Sequence, residues 1–401
     1  MRGIVGIIVV IFIGWLLSYE RKSVNWRIIG AGFSLQILFA FIVLKTKVGA
    51  YILGKMAAGI SSIMFQANAG ISFLFGSLGS PDNLGMIFAF QVLPLIVFFG
   101  ALVSVLYYLG IMQLVIKYIG GFIGKVVGTK EVESISAAAN IFLGQTDAPL
   151  LVKPYISNLS RSELFAVLTG GVASVSGTVL AGYAALGVPM KYLIAGSFMA
   201  APSGLIFAKL IMPEKSGNIK DNKKVVFHKS EAVNIADAAA KGTMDGLKMA
   251  VSMGALLVAF IGLITLANTI VADIGGFFGV NITIQKILGY LFSPLAYVMG
   301  IPWNEAVTAG SLLGEKMVLN EFVAYASFGK IMGGLSEKTI TIMSFALLGF
   351  ANISSIAILI GGVGGLAPDR KKDIAKMGVR AILGGFLASI LNGIIAGVFF
   401  G

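Results

Sequence analysis

Residues 137–151 read AAANIFLGQTDAPLL, which sets Gln145, Thr146 and Asp147 side by side between Gly144 and Pro149, two residues that interrupt a helix. Gln145 carries donors and acceptors, Thr146 a hydroxyl and Asp147 two acceptor oxygens. Such a set suits a planar heterocycle with both N–H and C=O edges. Far along the chain, Asn320-Glu321-Phe322, Asn352 and Ser355 supply the acceptors and hydroxyls that hold a polyol such as a sugar, and Val179 and Phe350 offer apolar walls. No arginine is near either group, which disfavours an anionic phosphate. Asn140 and Ser174 flank two helix breaks. With unwound backbone carbonyls they make an all-oxygen site of the kind that coordinates sodium in membrane transporters; hydrogen bonds that only pack helices are the alternative.

The surroundings of these residues are apolar. The chain has 401 residues, 57% hydrophobic and 12% charged, with 52 glycines. Soluble domains carry about 25% charged residues, so the composition indicates an all-α, multi-pass membrane protein. A carboxylate at bilayer depth costs at least ~2.5–3.5 kcal/mol, so Asp147 and Glu321 should face protein or water. With no cysteine, disulfides and cysteine-held metals are excluded. The single histidine, His228, lies in a hydrophilic segment and reads as a solvated loop residue, which disfavours Ser/His/Asp chemistry. The net charge of +12 is gathered between apolar segments, as membrane topology requires, and does not indicate nucleic acid.

Eight spans are expected: 3–17, 28–44, 86–116, 160–186, 190–212, 249–272, 336–366 and 381–400. Residues 48–66 read as an interfacial helix, 67–83 as a loop or short helix, and 118–127 and 275–300 as amphipathic segments. Residues 131–155 and 301–330 are too short or too charged in their apolar parts to cross, and read as re-entrant hairpins. Ser160 and Glu163 fit a capping box that starts the fourth span. Residues 214–231 form a lysine-rich, cytoplasmic linker. With both termini outside, the basic loops 20–27, 117–130, 214–229 and 368–376 fall on one side, while Lys286, Lys316, Lys330 and Lys338 fall on or near the other.

The order amphipathic segment, hairpin, polar-broken helix, simple span occurs twice, near 118–212 and 282–400. Glu131 precedes Asp147 by sixteen residues and Glu305 precedes Glu321 by sixteen; Leu159-Ser160 and Leu335-Ser336 start the two broken helices. One span lies between the copies, so they are expected to be inverted, with a site at their interface. The expected division is 1–117 and 213–281 as a scaffold, the latter including the linker, and 118–212 and 282–401 as the transport part.

Residues 138–149 (AANIFLGQTDAP), 162–167 (SELFAV), 302–306 (PWNEA), 320–325 (NEFVAY) and 349–355 (GFANISS) closely resemble the concentrative nucleoside transporter family. The resemblance runs over nearly the whole chain. It implies a sodium- or proton-coupled nucleoside symporter, a homotrimer in a bacterial cytoplasmic (inner) membrane, with uridine, adenosine or a similar nucleoside as substrate and no cofactor beyond the coupling ion. It further implies that Gln145, Thr146 and the carboxylate at 147 face the nucleobase. Glu321, Asn352 and Ser355 would hold the ribose, and Val179 and Phe350 would line the pocket. Asn140, Ser174 and the carbonyls of Leu143 and Val175 would surround sodium. The family usually has glutamate where this chain has Asp147, which leaves base preference open. Asn140, which proton-coupled relatives tend to lack, favours sodium. The competing readings are a membrane-embedded enzyme using Asp147 and Glu321 as an acid/base pair, and a passive channel.

Overall fold

The computed structural model describes residues 2–80, 87–214, 225–227, 230–277, 279–280 and 282–400. His228 and most of the 214–231 linker lie outside the described residues. The described chain is helical, with no strand among the described residues. The helices are α1 (Arg2–Leu16), α2 (Trp26–Lys45), α3 (Lys47–Phe75), α4 (Leu93–Tyr108), α5 (Ile111–Val127), α6 (Glu131–Ala139), α7 (Arg161–Ala173), α8 (Gly177–Ala185) and α9 (Met190–Ile211) in the first half. The second half holds α10 (Ile235–Phe277), α11 (Ile284–Val298), α12 (Trp303–Val318), α13 (Glu321–Ile331), α14 (Glu337–Ala346), α15 (Ser355–Leu366) and α16 (Lys371–Val398).

Both hairpins and both broken helices form as the sequence predicts. Hairpin 1 is α6, an irregular tip, and two short turns at Ala148–Leu151 and Lys153–Ile156. Hairpin 2 is α12 and α13, and α11 and α12 meet at a bend of 117°. The broken helices are α7/α8 and α14/α15. Ser160 caps α7 as expected: its hydroxyl accepts from the Glu163 N–H at 3.1 Å, and the Glu163 carboxylate accepts from the Ser160 N–H at 2.6 Å. In the second repeat the carboxylate comes from hairpin 2 instead, where Glu305 accepts from both the N–H and the hydroxyl of Ser336 at 3.0 and 2.8 Å.

Four boundaries differ from expectation. Residues 47–75 are one unbroken helix, where an interfacial helix followed by a loop or short helix was expected. A single glycine such as Gly70 costs only about 1 kcal/mol in a helix, and the stop comes at Gly76, whose φ of 55° ends the run. The expected span 86–116 ends at Tyr108, because Gly110 at φ 81° turns the chain and starts α5 seven residues before the expected amphipathic segment. α10 begins well before 249: Asp237 and Lys241 pair at 2.9 Å one turn apart, so charge supports the helix instead of ending it. α16 likewise begins at Lys371, ten residues before the expected last span.

Among the described residues seven helices are long and apolar enough to cross a bilayer, or eight if the bent α11/α12 pair counts as one. The upper number agrees with expectation but the membership differs: α3 and the bent α11/α12 pair join the set, while α1, at 15 residues, and the expected span 336–366, divided by its break into α14 and α15, fall short.

α7, α9 and α16 are buried almost throughout and form the centre. α3 and α10 leave most of their surface exposed and form the outside. α4 meets α10 through glycines: a Cβ on Gly242 would lie 2.4 Å from the Gly100 carbonyl oxygen, so the two backbones touch.

Candidate substrate and ion site

Hairpin 1 is fixed at its foot. Glu133 on α6 and Lys209 on α9 form a buried ion pair, and the Lys209 ammonium also donates to the Ser162 hydroxyl at 2.9 Å. Lys130 and Glu163 pair at 2.9 Å beside them. A buried pair with its remaining hydrogen bonds filled holds α6 in one register against α7 and α9.

From this foot α6 runs to Asn140, where the helix ends. Asn140 is buried; its Nδ2 donates to the Ser136 carbonyl at 2.9 Å, and its Oδ1 has no partner. α7 ends at Ser174, whose backbone is extended (ψ 178°). The Ser174 hydroxyl donates to the Gly170 carbonyl at 3.2 Å, and a Cβ on Gly170 would lie 3.3 Å from Asn140 Nδ2. Asn140 and Ser174 thus both adjoin Gly170 in the last turn of α7. Leu143 and Val175 are buried beside them. The tip is seated on the break by the Gly177 N–H, which donates to the Phe142 carbonyl at 2.8 Å. A buried acceptor oxygen left unpaired costs about 1–3 kcal/mol, and an oxygen-coordinated cation would remove that cost.

The second polar group is assembled from three elements. Glu321 opens α13, after Asn320 caps that helix by accepting from the Val323 N–H at 2.9 Å. One Glu321 oxygen accepts from the Tyr183 hydroxyl of α8 at 3.1 Å, and the other from Asn352 Nδ2 at 3.1 Å. The Asn352 Oδ1 in turn accepts from the Ser355 N–H at 3.0 Å and the Ser354 hydroxyl at 2.7 Å. Gln145 Nε2 reaches across from hairpin 1 to the Ser355 hydroxyl at 3.4 Å, while Gln145 Oε1 has no partner.

A cavity of about 210 Å³ lies among these groups. Its polar lining is Gln145, Thr146, Asn320, Glu321, Asn352, Ser354 and Ser355, and its apolar lining includes Phe322, Phe350, Met249, Met253 and Leu257. Six of the eight substrate residues expected from the sequence therefore come together: Gln145, Thr146, Glu321, Phe350, Asn352 and Ser355. Asp147 does not join them. It lines a second cavity with Tyr107, Thr178 and Asp245, and Thr146 and Met249 border both. Val179 is wholly buried and is not among the residues lining either cavity.

Sequence reasoning missed Tyr183 and Met249. Tyr183 lies seven residues beyond Ser176 on α8, which puts it on the buried face, but its pairing with Glu321 across 138 residues has no local signal.

A sequence model described as the Na+ dependent nucleoside transporter C-terminus matches residues 192–397, its N-terminal counterpart matches 5–78, and a nucleoside recognition (Gate) model matches 89–190. The chain is 48% identical to the uncharacterized transporter YutK of Bacillus subtilis, covering 99% of this chain and 98% of that protein. The chain belongs to the concentrative nucleoside transporter family. The nucleoside permease NupC of Helicobacter pylori is 44% identical over 99% of this chain and 97% of its own length. The structure of CNTnw in an inward-facing substrate-bound state superimposes with a TM-score of 0.94 at 48% identity, covering 99% of this chain and 97% of that one. As a member of a nucleoside-transporter family the chain is a multi-pass membrane transporter and not an enzyme. The separation of Asp147 and Glu321 into different cavities agrees with this, since an acid/base pair needs a shared one.

Proposed function

We propose that this transporter imports nucleosides across the bacterial cytoplasmic membrane, driven by the sodium gradient, as a homotrimer. One observation carries the ion assignment: Asn140, whose Oδ1 is buried and unpartnered, packs against Gly170, to which Ser174 is bonded, beside the break on which the Gln145-bearing tip is seated. Sodium bound there by Asn140, Ser174 and the carbonyls of Leu143 and Val175 would hold the tip against α7. Gln145 and Thr146 would then present their polar atoms to a nucleobase, and Glu321, Asn352 and Ser355 would accept from and donate to ribose hydroxyls. Phe350 supplies an apolar wall. Asp147 reaches the base through water rather than directly, which suits its place in the adjoining cavity. The family description, Na+ dependent nucleoside transporter, supports the same ion. The large exposed apolar surfaces of α3 and α10 suit lipid and neighbouring subunits.

Uptake of radiolabelled uridine and adenosine into proteoliposomes, with sodium and proton gradients imposed separately, tests the reading. Accumulation against a gradient is expected with sodium alone. Accumulation with a proton gradient alone would replace sodium by protons, and equilibration without accumulation would make the protein a channel.

A further inference from the structure

Lys316 was expected from the sequence near a membrane face; it is instead completely buried on α12, the first arm of hairpin 2. Its ammonium donates to the carbonyl oxygens of Ala346 at 2.8 Å and Leu348 at 3.4 Å, and to the hydroxyl oxygen of Ser389 on α16. The Ser389 hydrogen is directed to the carbonyls of Phe386 at 2.9 Å and Gly385 at 3.2 Å, so its oxygen is free to accept. Three acceptors match the three N–H bonds of an ammonium; a neutral amine has two. The Phe386 ring lies 5.6 Å from the nitrogen and offers its negative face to a cation.

The position of this charge is defined by the repeat. In hairpin 1 the carbonyl of Phe142 accepts from the Gly177 N–H; in hairpin 2 the carbonyl of Met317 accepts from the Ile353 N–H at 3.0 Å. These two bonds put Phe142 and Met317 in register. Ser160 and Ser336 cap the two broken helices, and Gly170 and Ala346 each lie ten residues beyond their cap. Asn140, two residues before Phe142, lies against Gly170. Lys316, one residue before Met317, donates to the carbonyl of Ala346. The same corner, hairpin tip against the last turn of a broken helix, holds an unsatisfied oxygen in one repeat and an ammonium in the other.

We propose that Lys316 is a resident cation, tethered in hairpin 2 at the counterpart of the Asn140–Ser174 site, and that it holds hairpin 2 to the break between α14 and α15 without a free ion. The comparison rests on the sodium reading of the first corner. The carbonyls at the end of α14 carry partial negative charge, which the ammonium offsets. Glu321, five residues along the same hairpin, and Asn352, in the break, are thereby kept in register whether or not sodium is present. Lys316 is thus a positioning residue for the ribose end of the cavity, and only hairpin 1 answers to the ion.

The test uses the purified full-length transporter and equilibrium binding of uridine in saturating sodium. Lys316→Met should weaken uridine binding at least about tenfold. Lys316→Ala should be weakened likewise and then restored in part by propylammonium, which can enter the vacated channel with its charge, and not by the bulkier choline. Ser389→Ala, which removes one acceptor only, should weaken binding in the wild-type background and have no further effect on Lys316→Met. Unchanged uridine affinity in Lys316→Met, or absence of propylammonium rescue in a folded Lys316→Ala, overturns the proposal. If neither lysine variant folds, unchanged affinity in Ser389→Ala overturns it. Failure of the sodium reading shows elsewhere, as an Asn140→Leu variant whose uridine binding keeps its ratio between sodium and choline while the Lys316 results stand.

Discussion

The backbone N–H of Phe350 donates to the carbonyl of Ser174 at 3.1 Å, across the two broken helices. Ser174 stands at the proposed ion corner and Phe350 lines the proposed nucleoside cavity. One peptide hydrogen bond therefore joins the proposed ion corner to the cavity, beside the side-chain bonds Tyr183–Glu321 and Gln145–Ser355 that also cross between the repeats. Coupling between ion and substrate requires a physical link through which each favours the other, and the effect must be reciprocal.

Asn140→Leu is predicted to remove an ion ligand and leave apolar bulk in its place. The sodium concentration for half-maximal uptake should rise, or the sodium dependence should vanish. Uridine binding should fall in sodium and stay nearly unchanged in choline. Equilibrium binding in the two salts measures both quantities.

Glu321→Gln retains shape but loses the charge that accepts from Tyr183 and Asn352. Hydrogen bonds to a charged group are worth about 1.5–3 kcal/mol, so uridine affinity is expected to fall roughly ten- to a hundredfold. Calorimetric titration of the folded variant checks this; binding within a factor of two of wild type would remove Glu321 from the ribose end.

Gly349 has a φ of 130°, and a Cβ there would stand 2.9 Å from the Ala173 carbonyl oxygen. Gly349→Ala is expected to cost about 1–3 kcal/mol of stability and to lower the thermal midpoint. Gly333→Ala, where nothing lies within 4 Å, is the control and should leave the midpoint nearly unchanged. Equal midpoints for the two variants would show that the seam tolerates a side chain.

Lys209→Met leaves Glu133 buried and unpaired, a change that costs about 3–5 kcal/mol. Adding Glu133→Gln removes the orphaned charge, so the double variant should melt higher than Lys209→Met alone. Thermal denaturation of both, followed by tryptophan fluorescence, decides the matter; a double variant no more stable than the single would mean the pair is not what holds the foot of hairpin 1.

Much of the fold is legible in the sequence where polar or helix-breaking residues interrupt apolar runs. Gly144, Pro149, Ser174 and the 349–355 stretch mark the hairpin tip and both breaks, and the structure puts them there. The reading fails where the signal is weak on either side. α3 carries Lys47, Lys55 and Gly70 inside one helix, and none of them is costly enough to stop it. The early start of α10 was hidden because charges on an exposed helix face resemble a loop.

At the site, six of the eight substrate residues share a cavity because they sit at breaks, where the chain itself turns inward. Asp147 adjoins Gln145 and Thr146 in sequence, yet successive residues of an irregular tip point different ways, and only packing decides which. Lys316 illustrates the converse: a lysine reads as surface, and nothing near it in sequence announces the carbonyls of Ala346 and Leu348 that surround its charge.

Met249 is held by the Thr178 hydroxyl, 3.6 Å from its sulfur, and borders both the proposed nucleoside cavity and the one containing Asp147. Met249 shares that position with Thr146, so the wall between the two chambers includes a movable thioether. An unbranched methionine changes rotamer at little cost. If the base occupies this cavity as proposed, a two-ring base would gain room by swinging Met249 aside, while a one-ring base would leave it in place. Met249→Ile, which stiffens the wall, should narrow the substrate range toward uridine, and an unchanged ratio of adenosine to uridine affinity would show the wall to be rigid already.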